Sequence, residues 1–155
     1  MSYNICLVHA AGRSIADLQS ASIGRSGGSV VLEDAMSMRF EGVAAIESSQ
    51  GVTLIVGPEF IGIEGRLHDG LRTEVVAALF AGFSSVYGWS VLAPGLHRQL
   101  VHVEGEVVEQ VGSPVLEEDG LTDLDEDALV DLFTRRTGVR PGDWDLSREV
   151  ELLTL

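Results

Sequence analysis

Apolar runs separated by Gly-, Pro- and Ser-containing breaks dominate the chain and predict a protein built mainly from strands. Strand-like segments occupy residues 3–10, 29–33, 42–47, 52–56, 83–92, 97–103, 106–111 and 148–155. Short polar turns separate the third segment from the fourth and the sixth from the seventh, so each pair is expected to form an antiparallel hairpin. The last three strands before residue 112 are expected to form a meander, and 24–28 and 113–122 are predicted loops.

Three segments have the features of a helix. A short helix is predicted over 15–21, because Ser14 and Asp17 have the spacing of a capping box. A longer one is predicted over 69–82, where four apolar residues fall on one helical face: Leu71, Val75, Leu79 and Phe80. A third is predicted over 125–137, since acidic residues begin it, two arginines end it and Gly138 follows.

These elements predict an α+β fold, a mostly antiparallel sheet of hairpins with two or three helices packed on it. With 155 residues, 45% of them hydrophobic, the chain is expected to form a single domain, 1–155. A chain of this length can bury a core without disulfides or metal. Cys6 is the only cysteine and lies in an apolar run, so it is predicted to be a buried small side chain rather than a nucleophile.

Charge changes this picture most. The formal net charge is −14 and the chain contains no lysine. Residues 104–155 hold 15 of the 24 acidic residues and four of the ten arginines, for a net charge of −11. Such a surface repels nucleic acids and anionic membranes and attracts a basic protein partner, although the same charge also favours solubility.

Residue patterns that would carry catalysis are scarce. The four histidines lack metal-ligand spacing, and His97 and His102 should lie on opposite faces of one strand. The chain has no Gly-x-Ser-x-Gly elbow and no phosphate-binding loop, and the acids of 117–127 do not fit a calcium-binding EF-hand. The sequence therefore predicts no catalytic residue, no metal ligand and no cofactor.

Several short motifs between residues 83 and 138 resemble a loose group of small acidic bacterial proteins. They are Tyr87-Gly88-Trp89, Arg98, the acidic hairpin 103–109, Gly112-Ser113-Pro114 followed by Glu117-Glu118, and the helix from Leu124-Asp125-Glu126-Asp127 to Thr137-Gly138. Some members of this group look like immunity proteins encoded beside secreted or contact-delivered toxins. The resemblance implies binding of a toxin and supplies no catalytic residue.

The leading hypothesis is therefore a non-catalytic protein-binding domain, an immunity protein that occludes a basic toxin surface. Trp144, between two aspartates, is predicted to be an exposed interface anchor. The predicted partner contacts are Glu104, Glu106, Glu117, Glu118, Asp119, Asp123, Glu126 and Trp144. The chain shows no signal-peptide pattern and no apolar run of membrane-spanning length, so a cytoplasmic protein is expected.

Two other functions stay open on the sequence. One is a small hydrolase with a histidine and carboxylate site, for which Arg98 with His97 and His102 is the first place to look. The other is a self-associating structural or regulatory domain that forms a homodimer through an exposed sheet edge or an apolar patch.

Overall fold

The computed structural model describes residues 3–57 and 62–155. Its strands are β1 (Asn4–Ala11), β2 (Gly24–Val31), β3 (Val43–Ser48), β4 (Gly51–Val56), β5 (Val75–Ala81), β6 (Val86–Ala93), β7 (Leu96–Val103), β8 (Glu106–Val111) and β9 (Glu149–Thr154). Its α-helices are α1 (Leu32–Ala35), α2 (Ile63–Leu71) and α3 (Glu126–Thr137). The predicted α+β class, mostly antiparallel sheet with a few packed helices, is confirmed.

All nine strands pair antiparallel in one sheet, in the order β2-β9-β3-β4-β1-β5-β6-β7-β8. Both predicted hairpins form, and β6, β7 and β8 are neighbours in the predicted meander. The C-terminal strand β9 lies between β2 and β3, a placement that joins the end of the chain to its first third.

The central strands are buried on both faces of the sheet, which explains their nearly continuous apolar sequences. Leu7 and Phe80 point to the face covered by α3, here called the front face, where they join Phe133 in one core. Val8 and Leu54 point to the back face, where α2 and the 3₁₀ helix Ala16–Ala21 cover a second core. Alternation of side chains along each strand supplies both cores at once.

Local capping signals correctly predicted two of the helices. Asp125 accepts a hydrogen bond from the Ala128 N–H at 2.9 Å and begins α3, which ends at Gly138 with φ +78°. The Ser14 N–H donates to Asp17 Oδ2 at 2.9 Å, and the Asp17 N–H donates to Ser14 Oγ at 3.3 Å. This reciprocal pair lies at the start of the short 3₁₀ helix. The N–H and the hydroxyl of Ser14 both stabilise the charged carboxylate of Asp17 and so lower its pKa.

The helix predicted over 69–82 is wrong. Helix α2 begins earlier, at Ile63, and ends at Leu71, where Arg72 adopts a left-handed conformation. The following residues form β5, a central strand of the sheet. Seven consecutive apolar residues satisfy a helical and a strand period equally well, and burial on both faces of a sheet selects the strand.

The glycine-rich segment 24–28, predicted as a loop, instead forms the first part of β2. An irregularity in its pairing with β9 between Arg25 and Ser29, with Gly27 at φ +83°, accommodates the glycines at a sheet edge. The strand predicted over 29–33 stops at Val31, where α1 begins. The predicted strand over 83–92 begins only at Val86, because a 3₁₀ turn over Gly82–Ser84 precedes it.

Candidate interaction surface

The turn between β7 and β8 presents two of the predicted partner contacts to solvent. Glu104 and Gly105 both have positive φ, +51° and +81°, the combination of a type I′ turn. The Glu104 N–H donates to the Ser85 carbonyl at 2.9 Å, which ties the turn to the start of β6. Glu104 and Glu106 are therefore exposed on a tightly held turn.

A buried histidine positions Asp123 beside this turn. His102 is 5% exposed, and its Nδ1 accepts a hydrogen bond from the Leu124 N–H at 3.2 Å. Asp123 Oδ1 lies 3.3 Å from the same Nδ1. The Asp123 carboxylate is also close to the turn, because a Cβ atom placed on Gly105 would lie 3.8 Å from Asp123 Oδ1. The segment before α3 is thus fastened to β7, with the exposed Asp123 next to Glu104.

The first turn of α3 adds further carboxylates at the same end of the sheet. Burial raises the pKa of Tyr87, and Glu126 and Asp125 lie close enough to Tyr87 for their negative charges to raise that pKa further. Tyr87 pairs with His102 across β6 and β7, so these acids lie close to the turn. The exposed residues Glu104, Glu106, Asp123 and Asp125 are called the acidic end below.

Glu118 does not belong to this exposed set, and its predicted role as a partner contact is wrong. It is 7% exposed, and its carboxylate faces the guanidinium of Arg98 in two parallel contacts. Arg98 Nε donates to Oε2 at 2.9 Å and Nη2 donates to Oε1 at 2.6 Å. Arg98 is itself 1% exposed, so the pair is a buried structural contact between β7 and the 3₁₀ turn Leu116–Glu118.

The pKa of Glu118 reflects two opposing effects. Burial alone would raise it, but hydrogen bonds from Arg98 and from the Val115 N–H lower it below its ordinary value. The indole N–H of Trp89 faces the carboxylate and also lowers its pKa, although its geometry falls short of a hydrogen bond. Arg98 Nη1 donates in addition to the Gly112 carbonyl at 3.0 Å, which pins the chain where it leaves β8.

Glu117 and Asp119 lie beside α3 rather than at the acidic end. Arg136 Nη1 donates to Glu117 at 3.0 Å, while its Nη2 donates to Glu74 at 2.6 Å. Glu117 is therefore half-buried and already paired. Asp119 is exposed and lies near Asp131 and Arg135 in a shallow depression along the helix.

Glu126 and Trp144 have internal roles as well. Glu126 Oε1 accepts a hydrogen bond from the Tyr3 N–H at 2.7 Å and so attaches α3 to the start of β1. Trp144 is half-buried and packs against the front core, so the prediction that it is an exposed anchor is wrong. A 3₁₀ turn over Pro141–Asp143 directs its ring inward.

Arginine does not neutralise the acidic end. Three arginines pair with other acids instead: Arg98 with Glu118, Arg135 with Asp131, and Arg136 with Glu74 and Glu117. Within residues 3–57 and 62–155, Glu104, Glu106 and Asp125 form no ion pair. Their charge is available to a partner.

Sequence reasoning missed Val107, Val108 and Glu109, although they belong to the same surface. All six residues of β8 are exposed. The signal was present, since Glu106–Val111 lacks the apolar alternation that a strand with one buried face shows. A strand without this alternation buries neither face, and such a strand is expected at the edge of a sheet.

The arrangement of the histidines disfavours the hydrolase alternative. His102 Nδ1 is engaged by internal groups, since the Leu124 N–H lies 3.2 Å and Asp123 Oδ1 lies 3.3 Å from it. His97 is exposed on the opposite face of the sheet from His102, as predicted, and Arg98 is fully engaged by internal acceptors.

Other reactive side chains also have structural surroundings. Burial raises the pKa of the Cys6 thiol to about 12, and the charge of Glu64 adds to this shift. Burial lowers the pKa of His9, whose Nδ1 lies 2.9 Å from Thr53 Oγ1. Among the described residues, no group of three His, Cys, Asp or Glu side chains is arranged to hold a metal ion.

Comparison of the chain with protein-family models, with curated proteins and with solved structures finds no match. No helix in the described part of the chain has the length and apolar character needed to cross a membrane. The interpretation of the surface therefore depends on its own geometry and charge.

Proposed function

We propose that this protein is a non-catalytic acidic binding domain whose acidic end docks on a basic surface of a partner protein. The observation that carries the proposal is the set of exposed carboxylates without an arginine partner, held on the β7–β8 turn and the start of α3. A surface of this kind speeds association with a basic partner and excludes anionic ones such as nucleic acids and membranes.

In its most specific form, the proposal is an immunity protein that blocks a bacterial toxin by covering a basic cleft. Toxins that act on nucleic acids need basic clefts, and rigid carboxylates can occupy the positions of the phosphates. The His102–Leu124 hydrogen bond and the Asp125 cap hold these carboxylates before the partner arrives, which lowers the entropy lost on binding. Such a protein acts in the cytoplasm of the cell that produces it.

The test is capture of partners from a lysate of the source bacterium on immobilised protein, at low and at high salt. We expect one basic protein that is retained at about 50 mM salt and lost near 500 mM, because contacts at this surface are screened. Co-expression of the captured protein in a test host should arrest growth, and the acidic protein should restore it.

Two charge-matched variants identify the surface involved. Glu104→Gln/Glu106→Gln/Asp123→Asn should weaken binding by at least about tenfold, chiefly through the association rate. Glu33→Gln/Asp34→Asn/Glu41→Gln removes three exposed acids far along the chain and should leave binding unchanged. Equal effects of the two variants, or a complex indifferent to salt, would contradict the proposal.

A further inference from the structure

Strand β8 ends the sheet with an unpaired edge. It pairs with β7 on one side, and no strand within residues 3–57 and 62–155 pairs with the other. Val107 and Val108 are 55% and 58% exposed, which is unusual for valines in a strand. A free edge of this kind can pair with an extended segment of another chain.

The turn geometry shows which backbone groups the edge offers. A two-residue type I′ turn closes on a hydrogen-bonded pair, here Val103 and Glu106. Val107, opposite His102, is the next residue, so its N–H and C=O point away from β7. These groups are available to an added strand.

The sequence of β8 includes few of the features that usually protect an edge. It contains no proline, lysine or arginine, and its one protective irregularity is a single extra residue, Val108, between the pairs His102–Val107 and Val101–Glu109. The other edge differs, because β2 has a glycine-rich irregularity and its Arg25 pairs with Glu151. Apart from the irregularity at Val108, negative charge protects β8, and it repels other acidic chains while attracting basic ones.

The side chains of β8 indicate what an added strand should contain. Glu106 and Glu109 face the back of the sheet with their partners Val103 and Val101, whereas Val107 faces the front with His102. An added strand would therefore meet carboxylates on one face and an apolar side chain on the other. Alternating basic and apolar residues satisfy both faces.

We infer that β8 binds an extended basic segment of the partner protein by strand addition. This inference rests on the proposed function and adds the structural mode of recognition. A second copy of this chain is a poorer occupant, because each copy has a net charge of −14 and both edges would bring glutamates to the junction.

The first experiment uses a synthetic peptide with the sequence acetyl-Thr-Arg-Val-Arg-Val-Arg-Thr-amide and the ¹⁵N-labelled protein. We expect saturable binding with amide shifts centred on 104–112, and slower hydrogen exchange of the Val107 amide. A peptide with glutamine in place of arginine should bind at least about tenfold more weakly. Shifts centred elsewhere, or equal binding of both peptides, would overturn the inference.

A matched pair of substitutions tests backbone pairing. Val107→Pro removes the outward N–H and fits an edge position, whereas Val107→Thr keeps the N–H and the β-branched shape. We expect the proline variant to lose at least about tenfold in peptide affinity and the threonine variant to stay within about twofold. If Val107→Pro does not fold, hydrogen exchange of the Val107 amide in the wild-type complex is the deciding measurement. Slower exchange supports backbone pairing, and unchanged exchange overturns it.

The partner captured in the lysate experiment separates this inference from the proposed function. A captured basic partner that binds Val107→Pro as tightly as wild type would overturn strand addition and leave the proposed function intact. Peptide pairing at β8 without any captured partner would contradict the proposed function and support strand addition at β8. A homodimer that protects the Val107 amide without peptide would overturn the inference in favour of self-association.

Discussion

At the residue scale, the Arg98–Glu118 pair shows why acidic residues are hard to assign from sequence. Glu118 lies in the most acidic stretch of the chain, yet it is buried against an arginine twenty positions away. Periodicity offered one signal. Arg98, Leu100 and His102 are two residues apart along β7 and so share one face of the sheet, which also bears Trp89 of β6. A charged residue in that register requires a buried partner, but no local pattern identifies which of the many acids it is.

Removing the partner should reveal the cost of the buried charge. Glu118→Gln leaves Arg98 without a counterion, and we expect a loss of about 3–5 kcal/mol in the free energy of unfolding at pH 7, measured with urea. The double variant Arg98→Met/Glu118→Leu should recover most of that loss, because it removes both charges together.

The same pair predicts a pH dependence with a defined sign. Since the folded state holds the pKa of Glu118 below its ordinary value of 4.5, the ionised carboxylate stabilises the fold above that pH. As the pH falls from 4.5 through the lower folded-state pKa, this stabilisation is lost. The stability difference between wild type and Glu118→Gln should shrink over that range, and a difference that stays constant would show that Glu118 is not ionised in the fold.

At the scale of elements, local signals were reliable only where they did not depend on distant packing. Helix α3 was predictable because Asp125, its terminal arginines and Gly138 are all within its own segment. Strand β5 was not, because its apolar run has no polar residue to reveal the period. Pairing on both sides decides between helix and strand, and one of the two partners, β1, lies far away in sequence.

The exit from β8 gives a prediction at this scale. A Cβ at Gly112, where φ is +72°, would lie 2.2 Å from the His97 carbonyl oxygen, and the Gly112 carbonyl accepts from Arg98. Gly120 has a similar φ of +81° but open space around it. Gly120→Ala should cost about 1–2 kcal/mol from backbone strain alone, and Gly112→Ala at least about 2 kcal/mol more. Equal losses in urea unfolding would mean that the chain near His97 relaxes freely.

At the scale of the whole molecule, the hairpins and the meander were predictable, but the strand order was not. Joining β9 to β2 and β3 and placing β1 between β4 and β5 requires contacts between distant parts of the chain. The same limit applies to the candidate surface. Charge asymmetry predicted an acidic region, whereas folding decided that Glu117, Glu118 and Glu126 serve internal contacts and that Glu104, Glu106 and Asp123 stay exposed.

Concentrating unpaired carboxylates at one end should destabilise the isolated protein through self-repulsion, which salt would relieve. We expect the Tm to rise between about 10 mM and 500 mM salt, because the Debye length falls from about 30 Å to less than about 8 Å over that range. At low salt, Glu104→Gln/Glu106→Gln/Asp123→Asn should raise the Tm by roughly 2–4 °C, the range that a change of about 1 kcal/mol produces in a domain of this size.

The control variant Glu33→Gln/Asp34→Asn/Glu41→Gln removes the same charge from another region and should raise the Tm less. Both differences should vanish at high salt, where the carboxylates are screened. Equal gains would mean that the total charge, rather than its concentration at the acidic end, sets the repulsion. A larger gain for the acidic-end variant would identify the carboxylates proposed to bind a partner as ones that lower the stability of the free protein.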